Sequence, residues 1–143
     1  MKKIILALLL VGTLIFALSA CGAGTPKIEE YEWTMRYIMH GEENQLIVDA
    51  VAEEDSAHPE AQIIEMTLVA KDGKITVTDA TNEITYEGAY TVEAKTPDGT
   101  NYAVTIDGIS GYAIVAMTTY ADGTEEPTLP INLGEYSLYF YAE

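Results

Sequence analysis

The segment 68–79, with the sequence LVAKDGKITVTD, decides the fold. Apolar and polar residues alternate on both sides of Asp72-Gly73, a pair that is typical of a tight turn between antiparallel strands. The segment 84–92 alternates in the same way after a polar turn at 79–82. Because successive side chains of a strand point to opposite faces, this period of two predicts strands with one buried face.

The same period continues through most of the chain and predicts about nine short strands separated by turn residues. The first strand alternates Tyr31, Trp33, Met35, Tyr37 and Met39, which predicts one large aromatic face. A hairpin turn is expected at 108–111, and the first four strands are expected to form a meander. The predicted strands are 31–39, 45–52, 62–70, 75–77, 84–92, 102–106, 112–121, 127–133 and 136–141.

Hairpins follow one another with almost no long crossover, so each strand is expected beside its neighbour in sequence. Closing such a sheet removes its exposed edges. We therefore predict an all-β domain that forms an antiparallel up-and-down β-barrel of about 8–9 strands, and a β-sandwich is the alternative. Gly88 is expected to mark a bulge or a bend.

The N-terminus carries a different pattern. Two lysines precede the apolar segment 4–18, which is short for a membrane span, and Leu-Ser-Ala-Cys follows at 18–21. This arrangement resembles the bacterial lipobox, in which the cysteine accepts a diacylglycerol and its freed amino group is then acylated. We expect a lipoprotein signal peptide at 1–20, a tether at 21–28 anchored by lipid on Cys21, and a single domain at 29–143. The alternative is an ordinary secretory signal with a free cysteine.

This interpretation places the domain at the cell membrane, on its extracytoplasmic face. The formal net charge of the whole chain is −16, and removal of the signal leaves five cationic side chains. They are Lys27, Arg36, Lys71, Lys74 and Lys95. So acidic a surface makes nucleic acid and anionic lipid head groups poor partners.

Catalytic and metal-binding patterns are weak. His40 and His58 are interpreted as surface turn residues, and the neighbours Asp55, Ser56 and His58 are too close in sequence for a catalytic triad. Acidic residues at 53–55 with Glu60, and at 122 with 125–126, lack the spacing of a calcium loop and are interpreted as solvated loops. We expect no enzymatic activity, no cofactor and no metal.

Tyrosine is the informative residue type, because the chain has ten tyrosines against two phenylalanines. A buried tyrosine hydroxyl needs a hydrogen-bond partner, so several inward tyrosines fit either a partly polar cavity or a packed core with hydroxyls at the barrel ends. We expect Trp33 to be buried at one end of the barrel against such tyrosines. The predicted inward aromatic residues are Tyr31, Trp33, Tyr86, Tyr90, Tyr102 and Tyr136.

Three short motifs occur in a familiar order: Trp33 in the first strand, the Asp-Gly hairpin, and Tyr-x-Gly-x-Tyr at 86–90. In this order the chain resembles small lipocalin-like domains of bacterial lipoproteins, of Gram-positive cells in particular, although the glycine that usually precedes the tryptophan is absent. The resemblance covers most of 29–143 and implies an up-and-down barrel that binds a small apolar or amphipathic ligand.

The residues predicted to bind that ligand at the barrel mouth are Trp33, Tyr86, Tyr90 and Tyr102. For each of them the alternative is plain core packing. The alternative function is a structural or protein-interaction domain with a filled barrel, whose partner is another protein of the cell envelope.

Overall fold

The computed structural model describes residues 25–50 and 61–143, and nine strands lie in this part of the chain. A single turn of 3-10 helix, Ile28–Glu30, precedes them. The strands are β1 (Trp33–His40), β2 (Gln45–Asp49), β3 (Met66–Lys71), β4 (Lys74–Asp79), β5 (Ile84–Thr96), β6 (Gly99–Ile106), β7 (Ile109–Thr119), β8 (Glu125–Leu133) and β9 (Tyr136–Ala142). Within the described ranges no helix is long and apolar enough to cross a membrane.

The strands form a closed antiparallel barrel, which confirms the predicted fold class and excludes the β-sandwich. Eight strands make the ring, because β9 pairs back onto β1 from Trp33↔Ala142 to His40↔Tyr136. The extra strand, β2, lies outside this ring. It pairs with the second half of β1, and its Val48 also forms an isolated parallel bridge with Gln62.

The predicted meander of the first four strands is wrong at β2. β3 pairs directly with β1, through Trp33↔Leu68 and Thr34↔Thr67, and β2 does not lie between them. The reason is that one edge of β1 is divided: its first residues bind β3, and the stretch from Tyr37 to His40 binds β2. Periodicity predicts that a strand exists, but it does not specify which edge the strand pairs with.

A register shift between Met35 and Tyr37 changes the face that β1 turns inward. Met35 points into the barrel, but after the shift Ile38 is the buried residue, and Tyr37 stacks on Tyr139 with ring centroids 4.5 Å apart. The continuous aromatic face predicted for this strand is therefore interrupted. A bulge inserts one residue, and one residue is enough to reverse the alternation.

Two other predictions, one of a turn and one of a bulge, need correction. The hairpin expected at 108–111 lies one residue earlier, at Asp107 and Gly108, and both residues have the positive φ angles that such a turn requires. Gly88 carries no bulge, because its pairing with Ile75 and Ile106 is in register. It is instead a position of close approach, where a Cβ atom would collide with the backbone of the neighbouring strand.

The middle of the barrel is filled by apolar side chains that are fully buried, among them Leu68, Ile75, Val115, Leu129 and Phe140. Because neighbouring strands run in opposite directions, the two ends of this core are formed by different sets of turns. We call the end where β1 begins the closed end. We call the other end the open mouth; its hairpin turns are at 41–44, 80–83, 107–108 and 134–135.

Candidate functional site

The closed end is sealed by the chain segment that leads into β1. The side chain of Ile28 is completely buried there, although the sequence analysis assigned this residue to the tether. The indole nitrogen of Trp33 donates a hydrogen bond of 2.8 Å to the Ile28 carbonyl, and the Ile28 amide donates one of 3.1 Å to the hydroxyl of Tyr102. The 3-10 turn is thus fixed as a plug, and the folded unit begins before residue 29.

Tyr90 completes the closed end. Its ring meets that of Tyr102 edge-on at 5.7 Å, and its hydroxyl donates a hydrogen bond to the Glu29 carboxylate. Burial, together with that hydrogen bond, raises the pKa of Tyr90 to about 12. Burial also raises the pKa of Tyr102. Both hydroxyls therefore stay neutral and serve as internal hydrogen-bonding groups.

The structure does not bring the four predicted ligand-binding residues together. Trp33, Tyr90 and Tyr102 lie at the closed end and are buried in the core, as expected for Trp33. Tyr86 is the exception, because it lines a cavity at the opposite end. Of the other predicted inward tyrosines, Tyr31 packs edge-on against Trp33 at 5.3 Å, and Tyr136 lies at the rim of the open mouth.

The open mouth holds an apolar cavity of about 240 Å³. Tyr86 and the exposed Asp107 are the lining residues that bring a hydroxyl and a carboxylate to this region. Ile109 and Tyr136 stand at the rim with 44% and 43% of their surfaces exposed. The other lining residues have aliphatic or thioether side chains; they are Ile38, Met66, Val77, Ile106, Leu133 and Leu138.

His40 was interpreted as a surface turn residue, and it lies at the rim of this cavity. Its ring is 4.7 Å from that of Tyr136, and its Nε2 atom is 3.4 Å from the Glu135 carboxylate. The side chain of Glu135 is largely exposed, so this contact is a weak surface interaction. An apolar pocket edged by a few polar groups is the usual form of a small-molecule site.

Sequence reasoning missed most of this site, including Asp107, Ile109 and Leu138. One signal was present in the predicted strands. In an up-and-down barrel alternate hairpins share an end, so a residue that follows the turn at 80–83 lies near residues that follow the turns at 107–108 and 134–135. Tyr86 therefore belongs with Ile109 and Tyr136.

A second cavity, of about 440 Å³, lies between β1, the segment 63–66 and the C-terminal residues 141–143. Arg36 forms part of its wall; the guanidinium carbon lies 3.9 Å from the centre of the Tyr141 ring. Its lining includes Ala50, which is next in sequence to segment 51–60. That segment lies outside the described residues, so the open mouth is the better defined site.

The acidic cluster at 122–126 is engaged in other contacts. Asp122 accepts hydrogen bonds from the amide and the hydroxyl of Thr124, at 2.9 and 2.6 Å, and these lower its pKa. Glu126 lies 2.6 Å from the Arg36 guanidinium. Across residues 25–50 and 61–143, no group of three or more His, Cys, Asp or Glu side chains is placed to hold a metal ion.

Several predicted sites fall outside the described residues. They are the signal peptide, the lipidation site Cys21, and the acidic loop with Asp55, Ser56 and His58.

Comparison of the whole chain with protein-family models, with curated proteins and with solved structures finds no matching family, protein or structure. The fold and the mouth therefore define this protein by its architecture alone, as a closed antiparallel barrel sealed at one end and open at the other.

Proposed function

We propose that this chain is an extracytoplasmic, lipid-anchored binding protein whose barrel takes up the apolar part of a small amphipathic molecule at its open mouth. The observation that carries the proposal is the cavity itself. Its wall is almost entirely apolar, it opens to solvent, and it lies at one end of a core of fully buried apolar side chains. Uncovered apolar surface of this kind marks binding sites.

The size of the cavity limits the ligand. At about 240 Å³ it lies below the ~300–1,000 Å³ of sites that enclose a drug-sized molecule. A ligand therefore inserts one chain end or one ring and leaves its polar part at the rim. The Tyr86 hydroxyl and the Asp107 carboxylate are the polar groups that meet it there.

The binding proposal is tested with a neutral solvatochromic dye, whose emission rises when it enters an apolar site. A ligand that binds the folded state raises the melting temperature, and the rise grows with the logarithm of its concentration above the Kd. Ile109→Trp fills the mouth and should weaken dye binding about ten-fold or more. Ile114→Trp is the matched control, because it lies on the same strand with similar exposure but away from the cavity. Equal dye binding by both variants contradicts the proposed site.

The anchor is tested separately. The thiol of Cys21 is the proposed attachment point, so Cys21→Ser should release the protein from the membrane fraction into the medium. Mass spectrometry of the extracted wild-type protein should show a chain that begins at a lipidated Cys21. An intact signal peptide or an unmodified thiol contradicts the lipoprotein proposal and leaves the mouth proposal standing.

One observation favours the second candidate, a protein-interaction domain. Ile84, Ile109 and Tyr136 are each exposed by more than two fifths of their surface, and all three belong to hairpins of the mouth. An apolar side chain of an envelope protein also fits a small pocket of this kind. Absence of any dye binding or melting shift with small amphiphiles favours this function over the first.

A further inference from the structure

Carboxylates are spread over the whole mouth. Four hairpin turns surround it, at 41–44, 80–83, 107–108 and 134–135, and every one contains an aspartate or a glutamate. None of the four contains a lysine or an arginine. A ligand head group that rests on this rim therefore meets negative charge on all sides.

The lysines lie towards the closed end, where the turns also contain carboxylates such as Asp72 and Asp98. Lys71 and Lys74 flank the β3–β4 turn, Lys95 flanks the β5–β6 turn, and Lys27 precedes the plug. These are all the lysines that follow residue 24. Lysine side chains are thus present on the barrel but lie away from the mouth, so none of them offsets the carboxylates of the mouth turns.

Asp107 connects this rim to the cavity. It lines the apolar pocket directly, and its side chain makes no hydrogen bond or ion pair within the described residues. Two other carboxylates near the mouth have partners: Glu135 lies near His40, and Asp79 accepts two hydrogen bonds from Asn82. An unpartnered carboxylate at the edge of an apolar pocket is free to pair with a charge on the ligand.

Resting on the proposed function, we infer that the ligand is a cationic amphiphile, with an apolar group in the cavity and an ammonium or similar cation beside Asp107. Charge complementarity selects this class. An anionic amphiphile such as a fatty acid has to bring its carboxylate close to Asp107 and the surrounding acidic turns, where like charges repel. A neutral amphiphile gains only the burial of its apolar group.

The test compares three decyl compounds that differ only in the head group: decyltrimethylammonium, decyl glucoside and decyl sulfate, each kept below its micelle concentration. Calorimetry and displacement of the neutral dye measure binding to the full mature chain. The cation should bind about five-fold more tightly than the glucoside at low salt, and the sulfate more weakly than both. At about 0.5 M salt the difference between cation and glucoside should fall below about two-fold.

Asp107→Asn tests the residue. Asparagine accepts the positive φ angle of this position, so the turn is preserved while the charge is removed. This variant should lose most of the preference for the cation over the glucoside, measured as the ratio of the two affinities. Asp98→Asn, in a hairpin turn of the closed end, is the matched control and should bind all three compounds as the wild type does.

The outcomes separate the two proposals. If the three compounds bind equally, or the sulfate binds best, the cationic inference is overturned and the binding function stands. If Asp107→Asn retains the full preference while it is folded by circular dichroism, Asp107 is not the contact, and the inference as stated is overturned. If none of the three compounds binds, the binding function and this inference both fail.

Discussion

The two ends of the barrel use similar side chains and differ in what covers them. At the closed end, aromatic residues surround Ile28, and the plug removes them from water. At the mouth, Ile109 and Tyr136 occupy comparable positions near strand ends, but no segment of the described chain covers them. The same residue types thus form a sealed core at one end and an exposed apolar surface at the other, depending only on a three-residue turn.

The largest effect is expected at Trp33. Its side chain is completely buried and hydrogen-bonded to the plug, so Trp33→Ala leaves a large cavity and frees the Ile28 carbonyl. The free energy of unfolding should fall by about 3–5 kcal/mol. Because this is the only tryptophan, urea unfolding is followed by circular dichroism. A loss below about 1 kcal/mol contradicts the closed end as described.

A matched pair of isoleucines compares the ends directly. Ile28→Ala removes a fully buried side chain and should cost about 2–5 kcal/mol. Ile109→Ala removes one that is already 44% exposed and should cost less than about 1 kcal/mol. Urea unfolding of both variants measures the two losses of unfolding free energy. Equal losses mean that Ile109 is as well buried as Ile28, which contradicts the difference between the two ends.

High pH should weaken the closed end. The pKa of Tyr90 is raised to about 12 in the folded protein, whereas an unfolded tyrosine ionises near pH 10. The folded state therefore holds the proton more tightly, and this contribution to stability is complete below pH 10 and lost as the pH rises towards 12. Tyr90→Phe should flatten the decline measured between pH 9 and 11.5. Some decline remains, because the pKa of Tyr37 is also raised to about 12.

The smallest effect is expected at the rim of the mouth. Glu135→Gln removes the carboxylate 3.4 Å from His40, but both side chains are exposed. The free energy of unfolding should change by less than about 0.5 kcal/mol. A loss above about 1 kcal/mol, measured at neutral pH, shows that the contact between Glu135 and His40 contributes to the fold.

Much of the fold was predictable from local chemistry. The Asp-Gly pairs fix tight turns because Asp72 and Asp107 tolerate positive φ, and alternation locates the strands between them. The bulge after Met35 was not predictable, because an inserted residue leaves the amino-acid pattern of β1 unchanged while it turns Tyr37 outward. The position of β2 was also hidden, since it depends on how two neighbours divide one edge of β1.

The candidate site was predictable only in part. The choice of Trp33, Tyr90 and Tyr102 followed from their size and polar atoms, and those same properties suit a hydrogen-bonded core. What separates core from site is whether another segment covers the residue. At the closed end the covering residue is Ile28. It is a single apolar residue outside any periodic pattern, so the sequence places it in the tether. Tyr86 has no such cover and lines the cavity.

The plug also determines which end of the barrel lies nearer to the proposed anchor. Thr25 and Pro26 reach the closed end, where Thr100 donates a hydrogen bond to the Pro26 carbonyl. In the proposed lipoprotein, four residue steps separate Cys21 from Thr25 and span at most about 14 Å. An eight-residue strand tilted by about 40° adds about 20 Å of height. In that lipoprotein the mouth would open roughly 2 nm or more above the lipid, and a ligand would reach it by diffusion through the aqueous phase.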